Sequence, residues 1–399
     1  MSEMILGDAL EVLIDHRGKT PKKLGGDFTP TGVPVASAML VKKGRLDLAG
    51  ARRISPELYR RWMPVPTRRH DVILTSEAPL GECALVDTDE PLVLGQRLFG
   101  LRGKKGILDS RYLFYAFQFQ RVRDDLHSRS SGTTVLGIRQ SELLKIRIPA
   151  PEFPVQVAIA GLLGALDDKI AVNERIVSTV DTLALQKLEA LLAGFSLNDG
   201  WREATLGSIA KVNGRKRASV PGGQLRYIDI SSVSPGQVSW PELSSWDDAP
   251  GRARRGVSRG DVIWSTVRPN RRSHALILDD DPNLVASTGF AVMTPKGVGP
   301  AYLYGITTRE EFVTYLESVA EGSAYPAVRA ERFADAKVPL PPDDSLMAFE
   351  DTVILLRERA HQADIESRVL TRLRDALLPK LISGELRIKD AEQFLSDAV

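Results

Sequence analysis

The chain has one cysteine, Cys83, in 399 residues. No internal disulfide is possible and no thiolate zinc cluster can assemble, which fits a reducing cytoplasm. No apolar run approaches the ~18–20 residues that a bilayer span needs. The amino terminus, MSEMILGDALEV, lacks the basic-then-apolar order of a secretory leader. A cytoplasmic protein with no membrane partner is the expectation. The five histidines, His16, His70, His127, His274 and His361, show no metal-ligand spacing. There is no Gly-rich phosphate loop of the Walker type. There is no (Asn/Asp)-Pro-Pro-aromatic element of the amino-methyltransferase kind, and no acidic pair followed by the Glu-x-Lys of common Mg²⁺ nucleases. Ser76-Glu77 and His70-Asp71 read as loop residues flanking a strand rather than as catalytic pairs. The formal net charge is only +2, so any nucleic-acid surface has to be local. The chain is expected to be non-catalytic, with no metal and no cofactor of its own.

What is present is helical periodicity. From Pro154 to Ala193, apolar side chains recur at Ile159, Leu163, Leu166, Ile170, Val177, Val180, Ala184 and Leu191. That is the three-and-four spacing of a long amphipathic helix with a coiled-coil seam. Leu162, Ile176, Leu183 and Leu188 widen the stripe. Pro154 suits a first turn, and Gly194 can end the helix in the left-handed conformation. About 40 residues would span roughly 60 Å, too long for the core of one compact domain. A second such helix is expected from about Ser345 to Ile382, capped by Asp343 or Asp344 and stopped by Gly384. Its seam reads Phe349, Val353, Leu356, Ala360, Ala363, Leu370, Leu377 and Leu381, interrupted by Ser367 and Arg374.

The chain is also written twice. Leu6-Gly7 returns as Leu206-Gly207, and Asp71-Val72-Ile73-Leu74-Thr75-Ser76 as Asp261-Val262-Ile263-Trp264-Ser265-Thr266. Pro79 falls opposite Pro269, Tyr112-Leu113 opposite Tyr302-Leu303, Gly132 opposite Gly322, and Arg139 opposite Arg329. Ile148-Pro149-Ala150-Pro151 aligns with Val338-Pro339-Leu340-Pro341. An ordered series at a nearly constant offset, ending each time at a long helix, marks a duplication. The expected fold is α+β. Two similar β-rich globular domains, 1–151 and 196–342, are joined by two long helices, 152–195 and 343–399 with the tail. The helices would form an antiparallel coiled coil with pseudo-two-fold symmetry. Ser110–Arg123 and Ala301–Val319 each read as one helix, and the tryptophans and the aromatic run Tyr112–Phe119 as packing.

A pseudo-symmetric pair of surfaces suits two half-sites on one DNA duplex. The candidate contacts lie in the repeated loops. Arg268, Asn270, Arg271 and Arg272 follow a short strand, where guanidinium and amide groups can read base edges. A solvated surface loop is the alternative. Arg215, Lys216 and Arg217, with Arg17 and Lys19 in the first copy, are candidates for phosphate neutralisation. The first copy's loop carries Thr75, Ser76 and Glu77, and Glu77 can accept from a cytosine amino group or pair with a nearby arginine. The second repeated loop carries Thr133, Thr134 and Arg139 against Ser323, Tyr325 and Arg329. A purely structural turn is an equal alternative there.

Three features together resemble the specificity subunit of type I restriction–modification systems: the repeated Asp-Val-Ile strand and loop, the hinge and helix with Gln156-Val157-Ala158-Ile159-Ala160, Leu166-Asp167-Asp168-Lys169-Ile170 and Asn173, and the tail Leu377-Leu378-Pro379-Lys380-Leu381-Ile382-Ser383-Gly384-Glu385-Leu386. The resemblance implies two target recognition domains, each reading half of a split site in double-stranded DNA. It implies two modification subunits docked on the long helices, and motor-nuclease restriction subunits. S-adenosylmethionine, ATP and Mg²⁺ would belong to those partners, and adenine methylation and cleavage would be theirs. The second helix lacks the Asp-Asp-Lys-Ile and Asn signature of the first. The other readings are a coiled-coil interaction scaffold, a DNA-recognition subunit of a related methylation-only or phage-defence system, and an enzyme with unusual metal ligands.

Overall fold

The short apolar runs around Val72 and Val262 become inner strands of two four-stranded sheets with the same strand order. In the computed structural model, which describes residues 2–42, 44–194, 200–322 and 325–398 (with side chains to 393), the chain forms two compact units. One is Met1–Ala171 with Arg368–Val399, and the other is Val172–Ser367.

In the first unit the sheet runs Leu10–Asp15, Leu98–Gly103, Val72–Thr75, Cys83–Leu85, all neighbours antiparallel. Val72–Thr75 is buried on both faces, which is why it reads as a continuous apolar run rather than an alternating one. One face carries Val72, Leu74, Phe99 and Leu101 into a core shared with the aromatic helix. The other carries Ile73, Leu98 and Ile14 into a second core under a small sheet, Arg53–Ile54, Val33–Ala36 and Val93–Leu94. In the second unit the sheet runs Ala210–Val212, Phe290–Pro295, Val262–Ser265, His274–Leu276. Its small sheet pairs Gln224–Ile228 in parallel with Leu284–Ser287, as Val33–Ala36 pairs with Val93–Leu94. It has one strand more, Ala253–Gly256.

The α+β class and the duplication therefore hold, with local corrections. The aromatic segment is two helices, Ser110–Ala116 and Gln120–Ser128, not one, and its counterpart is Pro300–Thr308 and Glu310–Ser318. Extended backbone at Phe119 and at Arg309 makes the break. The turn lets Val122 and Leu126 fold back onto the core that Tyr112, Leu113 and Phe117 enter. Buried tyrosine hydroxyls pin both hinges: Tyr112 donates to the Pro149 carbonyl at 3.0 Å, and Tyr302 to that of Pro339. That contact explains why both residues of each pair return at the same offset.

The long helices are Phe153–Ala193 and Asp343–Ser383. Asp343 and Asp344 lie in the first turn, where a carboxylate meets the positive end of the helix dipole, rather than ahead of it. Gly384 is left-handed, φ 75°, as a stop residue should be, whereas Gly194 is not. In the first unit Leu163, Leu166 and Ile170 share a core with Leu370, Leu377 and Leu381. In the second, Ala184 and Leu188 pack with Leu346, Phe349 and Val353, so Leu188 and not Leu191 is the fully buried seam residue. There Asn173 donates to Glu366 at 2.9 Å and Asp181 pairs with Arg357, so the two segments run antiparallel. A buried amide such as Asn173 fixes the register of a seam at some cost in stability. The signature tail closes on the first unit. Leu377, Leu378, Leu381 and Ile382 are buried there, and Leu386 N–H returns to the Lys380 carbonyl at 3.0 Å.

Candidate nucleic-acid interface

The two repeated loops, far apart in sequence, are laced together by backbone. In the first unit Glu77 bridges to Gly137 and Ser131 to Gly137. In the second, Val267 bridges to Ala327 and Glu321 to Ala327, at one constant offset. Ile138 N–H donates to the Ser76 carbonyl at 2.9 Å, and Val328 N–H to that of Thr266 at 2.8 Å. The strand-end loop turns through left-handed residues at matching places, Ala78 (φ 49°) and Gly81 (φ 85°) against Arg268 (φ 51°) and Arg272 (φ 53°). At Gly132 (φ 127°) an added Cβ would meet the Val135 carbonyl oxygen at 2.1 Å, so only glycine fits this turn. Among the described residues these bonds join the two loops of each unit into one platform at the end of the central strand.

In the first unit the platform borders a cleft of about 450 Å³ lined by Arg17, Glu77, Gln96, Arg97, Val135 and Arg139 among others. Glu77 pairs with Arg97 at 3.0 Å, and both side chains are about half exposed, 41% and 53%. Arg17 holds Asp15 through two 2.8 Å bonds, donates to the Ile138 carbonyl at 3.1 Å, and lies 4.0 Å over the Phe99 ring. Burial works to raise the Asp15 carboxyl, but these Arg17 bonds outweigh it and hold it below the ordinary value. Thr133, Thr134 and Arg139 are exposed on the hairpin. Thr75 and Ser76 are not available as contacts: both are buried. The Thr75 hydroxyl donates to the Pro79 carbonyl at 2.5 Å and accepts from Glu82 N–H at 2.9 Å, shaping the loop from beneath. The Lys19 ammonium donates to the Trp62 carbonyl at 2.8 Å.

The second unit offers a different chemistry on the same platform. The Arg268 guanidinium lies 4.6 Å from the centroid of the exposed Tyr325 ring. Asn270 and Arg271 are exposed, Arg272 pairs with Glu310, and Arg329 pairs with Glu321 at 3.0 Å. Ser323 lies outside the described residues. The expectation for Arg215 needs correcting. It is ion-paired with the buried Asp261, which also accepts from Thr294 at 2.8 Å, so its role is to neutralise an interior carboxylate. Arg217 donates to the Pro282 carbonyl at 3.1 Å, and Lys216 bridges through its backbone to Arg255. Sequence reasoning missed Arg97. Its register counterpart is Gly289: Ser76 N–H donates to the Arg97 carbonyl and Thr266 N–H to that of Gly289, each at 2.8 Å. The repeat gave no signal there.

Among the described residues no group of three His, Cys, Asp or Glu side chains is placed to hold a metal ion, and no helix is long and apolar enough to cross a membrane. The arrangement presents guanidinium, carboxylate, amide and aromatic groups at the edge of two matched platforms, which is equipment for recognition.

Comparison with known proteins agrees. The family model of the type I restriction modification DNA specificity domain matches residues 2–181. The type I restriction enzyme MjaIX specificity subunit of Methanocaldococcus jannaschii is 23% identical over 350 residues, 80% of this chain and 78% of that one. The type I restriction enzyme HindI specificity subunit of Haemophilus influenzae is 22% identical over 203 residues, half of this chain and 44% of that one. The crystal structure of the type I restriction–modification S subunit from M. genitalium shares the fold, with a TM-score of 0.62 over 95% of both chains at 17% identity.

Proposed function

We propose that the molecule is a non-catalytic subunit that reads a split DNA target, since residues 2–181 match the model of the type I restriction modification DNA specificity domain and the chain is similar over 80% of its length to a type I specificity subunit. The observation that carries this reading is the pairing of like scaffold with unlike chemistry. The loop platform is built from the same backbone bridges in both units. Yet it presents Glu77 and Arg97 in one, and Arg268 with Tyr325 in the other. A protein whose halves read different base sequences needs that combination. Exposed arginines and lysines around each platform would neutralise phosphates and set affinity without reading sequence.

The long helices would dock two modification subunits. In support, Val172, Leu183 and Leu185 on the first helix and Met347, Leu355 and Val369 on the second are exposed apolar side chains. Restriction subunits would join this complex. S-adenosylmethionine, ATP and Mg²⁺ would be bound by the partners, which would methylate adenine and cleave unmodified DNA. The test is single-molecule methylation sequencing of DNA from the source cell with this gene intact and deleted. A bipartite motif, methylated on adenine in both halves and lost on deletion, is the expected result. Unchanged methylation in an expressing strain would overturn the reading and turn attention to the helices as an interaction scaffold.

A further inference from the structure

We propose that the Glu77–Arg97 couple is a reader of one G·C base pair, and that it makes the first unit's half-site G·C-specified at a position where the second unit's is not. This inference deepens the DNA-reading proposal above and rests on it.

Glu77 sits on backbone fixed by its bridge to Gly137, and the amide of its neighbour Ser76 is bonded to the Arg97 carbonyl at 2.8 Å. Both members of the couple therefore project from anchored main chain on the loop platform, into the cleft of about 450 Å³. Arg97 holds a left-handed conformation, φ 67°, which costs a non-glycine residue energy and recurs where a side chain must be aimed. Arg97 lies in the turn that leads into Leu98–Gly103, and its side chain is 53% exposed.

The chemistry matches one base pair. A G·C pair presents guanine N7 and O6, both acceptors, beside the cytosine amino donor in the major groove. Arg97 supplies a fork of donors, and 3.0 Å away Glu77 supplies an acceptor that cannot donate. An A·T pair at the same place would set the thymine O4 acceptor or its methyl group against the carboxylate, a repulsive element that adds discrimination. The two charges stay adjacent on binding, so neither enters the interface uncompensated. In the second unit the equivalent positions are Val267 and Gly289, which can form no such couple.

The test is selection of a randomised duplex library by the full-length chain, co-purified with whatever modification subunits its operon supplies, followed by the same selection with Glu77→Ala and Arg97→Ala. The wild type is expected to select a split motif with a fixed G·C pair in one half. Each substitution should relax that one pair, with a loss of roughly 10- to 100-fold in preference for it. The other half of the motif should be unchanged, which also reports that the variant is folded. If the wild type selects a split motif and both variants keep it unaltered, or the relaxed position is A·T, this inference is overturned while the DNA-reading proposal stands. If the wild type selects no motif at all, that proposal fails, and this one with it.

Discussion

The two units meet their long helices through the same kind of contact with the charges reversed. In the first, Asp167 lies on the helix that leaves the domain, and it pairs with Arg374 of the other helix at 2.7 Å. In the second, the position equivalent to Asp167 is Arg357, which pairs with Asp181. The reason lies in which tyrosine reaches the helix, and with which part: Tyr115 in the first unit, opposite Gly305 in the repeat, and Tyr304 in the second, opposite Phe114. Tyr115 presents its hydroxyl, which donates to Asp167 at 2.6 Å. Burial, and next the Asp167 charge, push that phenol well above its ordinary value, so it remains a donor. Tyr304 presents its ring, and the Arg357 guanidinium sits 5.1 Å from the centroid. A hydroxyl wants a carboxylate and a ring face wants a cation. The missing Asp-Asp-Lys-Ile signature in the second helix is therefore a change of partner and not a lost contact. The repeats keep their backbone bonds and exchange their side-chain solutions.

The interior shows the same rule, and it yields the largest expected effect. Asp71 and Asp261 hold the same place, each almost fully buried. Asp71 is neutralised by Arg102, bonded at 2.8 and 2.7 Å and itself buried. In the second unit Thr294 takes the strand position of Arg102, and the cation comes from Arg215, whose side chain is 43% exposed. Removing one partner of a buried pair leaves an uncompensated charge, worth about 3–5 kcal/mol. Arg102→Met should lower the opening free energy of the first unit by about that much, read by hydrogen exchange resolved along the full chain. Arg215→Met should cost the second unit less, about 1–2 kcal/mol, because the Asp261 carboxylate left behind still accepts from Thr294 and from Ser258 N–H, and the vacated, 43% exposed place of Arg215 admits water. Equal losses would mean the two solutions are not as different as their burial makes them.

Cys83 and His274 hold matching places in the repeat, as the first residues of equivalent strands. Burial pushes the Cys83 thiol up to about 12, so it does not titrate in the acidic range. His274 is buried against Trp264 and Tyr304. Burial, with Arg272 and Arg357 nearby, lowers it from 6.5 to about 4. The unfolded chain thus takes the proton first as pH falls. Stability is complete above about pH 6.5 and is lost progressively down to about pH 4, by up to about 3 kcal/mol. In the first unit His16 and His70 are also lowered, chiefly by burial. One is half-buried and the other exposed, so the slope there should be shallower. His274→Cys should flatten the second unit's acid dependence in a melting series from pH 7 to 4. An unchanged slope would remove His274 as its cause.

Much of this was legible in the sequence. The duplication, the long helices and the two loop pairs were written as a constant offset and a three-and-four apolar period, because backbone geometry and core packing restrict residue type strongly. The loop chemistry was only half legible. Arg268 stood out because it opens a proline-broken basic loop directly after a strand, in a domain that carries other basic runs. Arg97 did not, because a lone arginine before a strand carries no periodicity and its counterpart is glycine. Arg215 misled for the converse reason: a basic run looks solvated until the buried Asp261 appears beside it. Gln156 is similar. It is buried, accepts from Asp109 N–H at 3.0 Å and donates to the Ile107 and Pro151 carbonyls, tying the hinge to the aromatic helix. In the second unit Glu350, at a different position, accepts from Ala301 and Tyr302 N–H at 2.9 Å each. Partners that move along the chain are invisible to an offset.

The reversed helix pair gives the smallest and most discriminating test. If charge attraction alone set its polarity, exchanging the residues of the first unit, Asp167→Arg with Arg374→Asp, would be nearly neutral, since the pair, about a quarter exposed, would contribute about 1 kcal/mol in either sense. If the tyrosine sets it, the exchange turns a guanidinium toward the Tyr115 hydroxyl, and a buried donor loses its acceptor. The exchanged chain should then be less stable by about 1–2 kcal/mol. Adding Tyr115→Phe should restore most of that loss, although Tyr115→Phe on its own should cost the parent chain about 1 kcal/mol. A favourable coupling between the exchange and the loss of one hydroxyl is the signature. Additive losses in the cycle, measured by urea unfolding, would show that the hydroxyl does not choose the polarity. The inverted pairs would then be two equivalent solutions that the repeats reached independently.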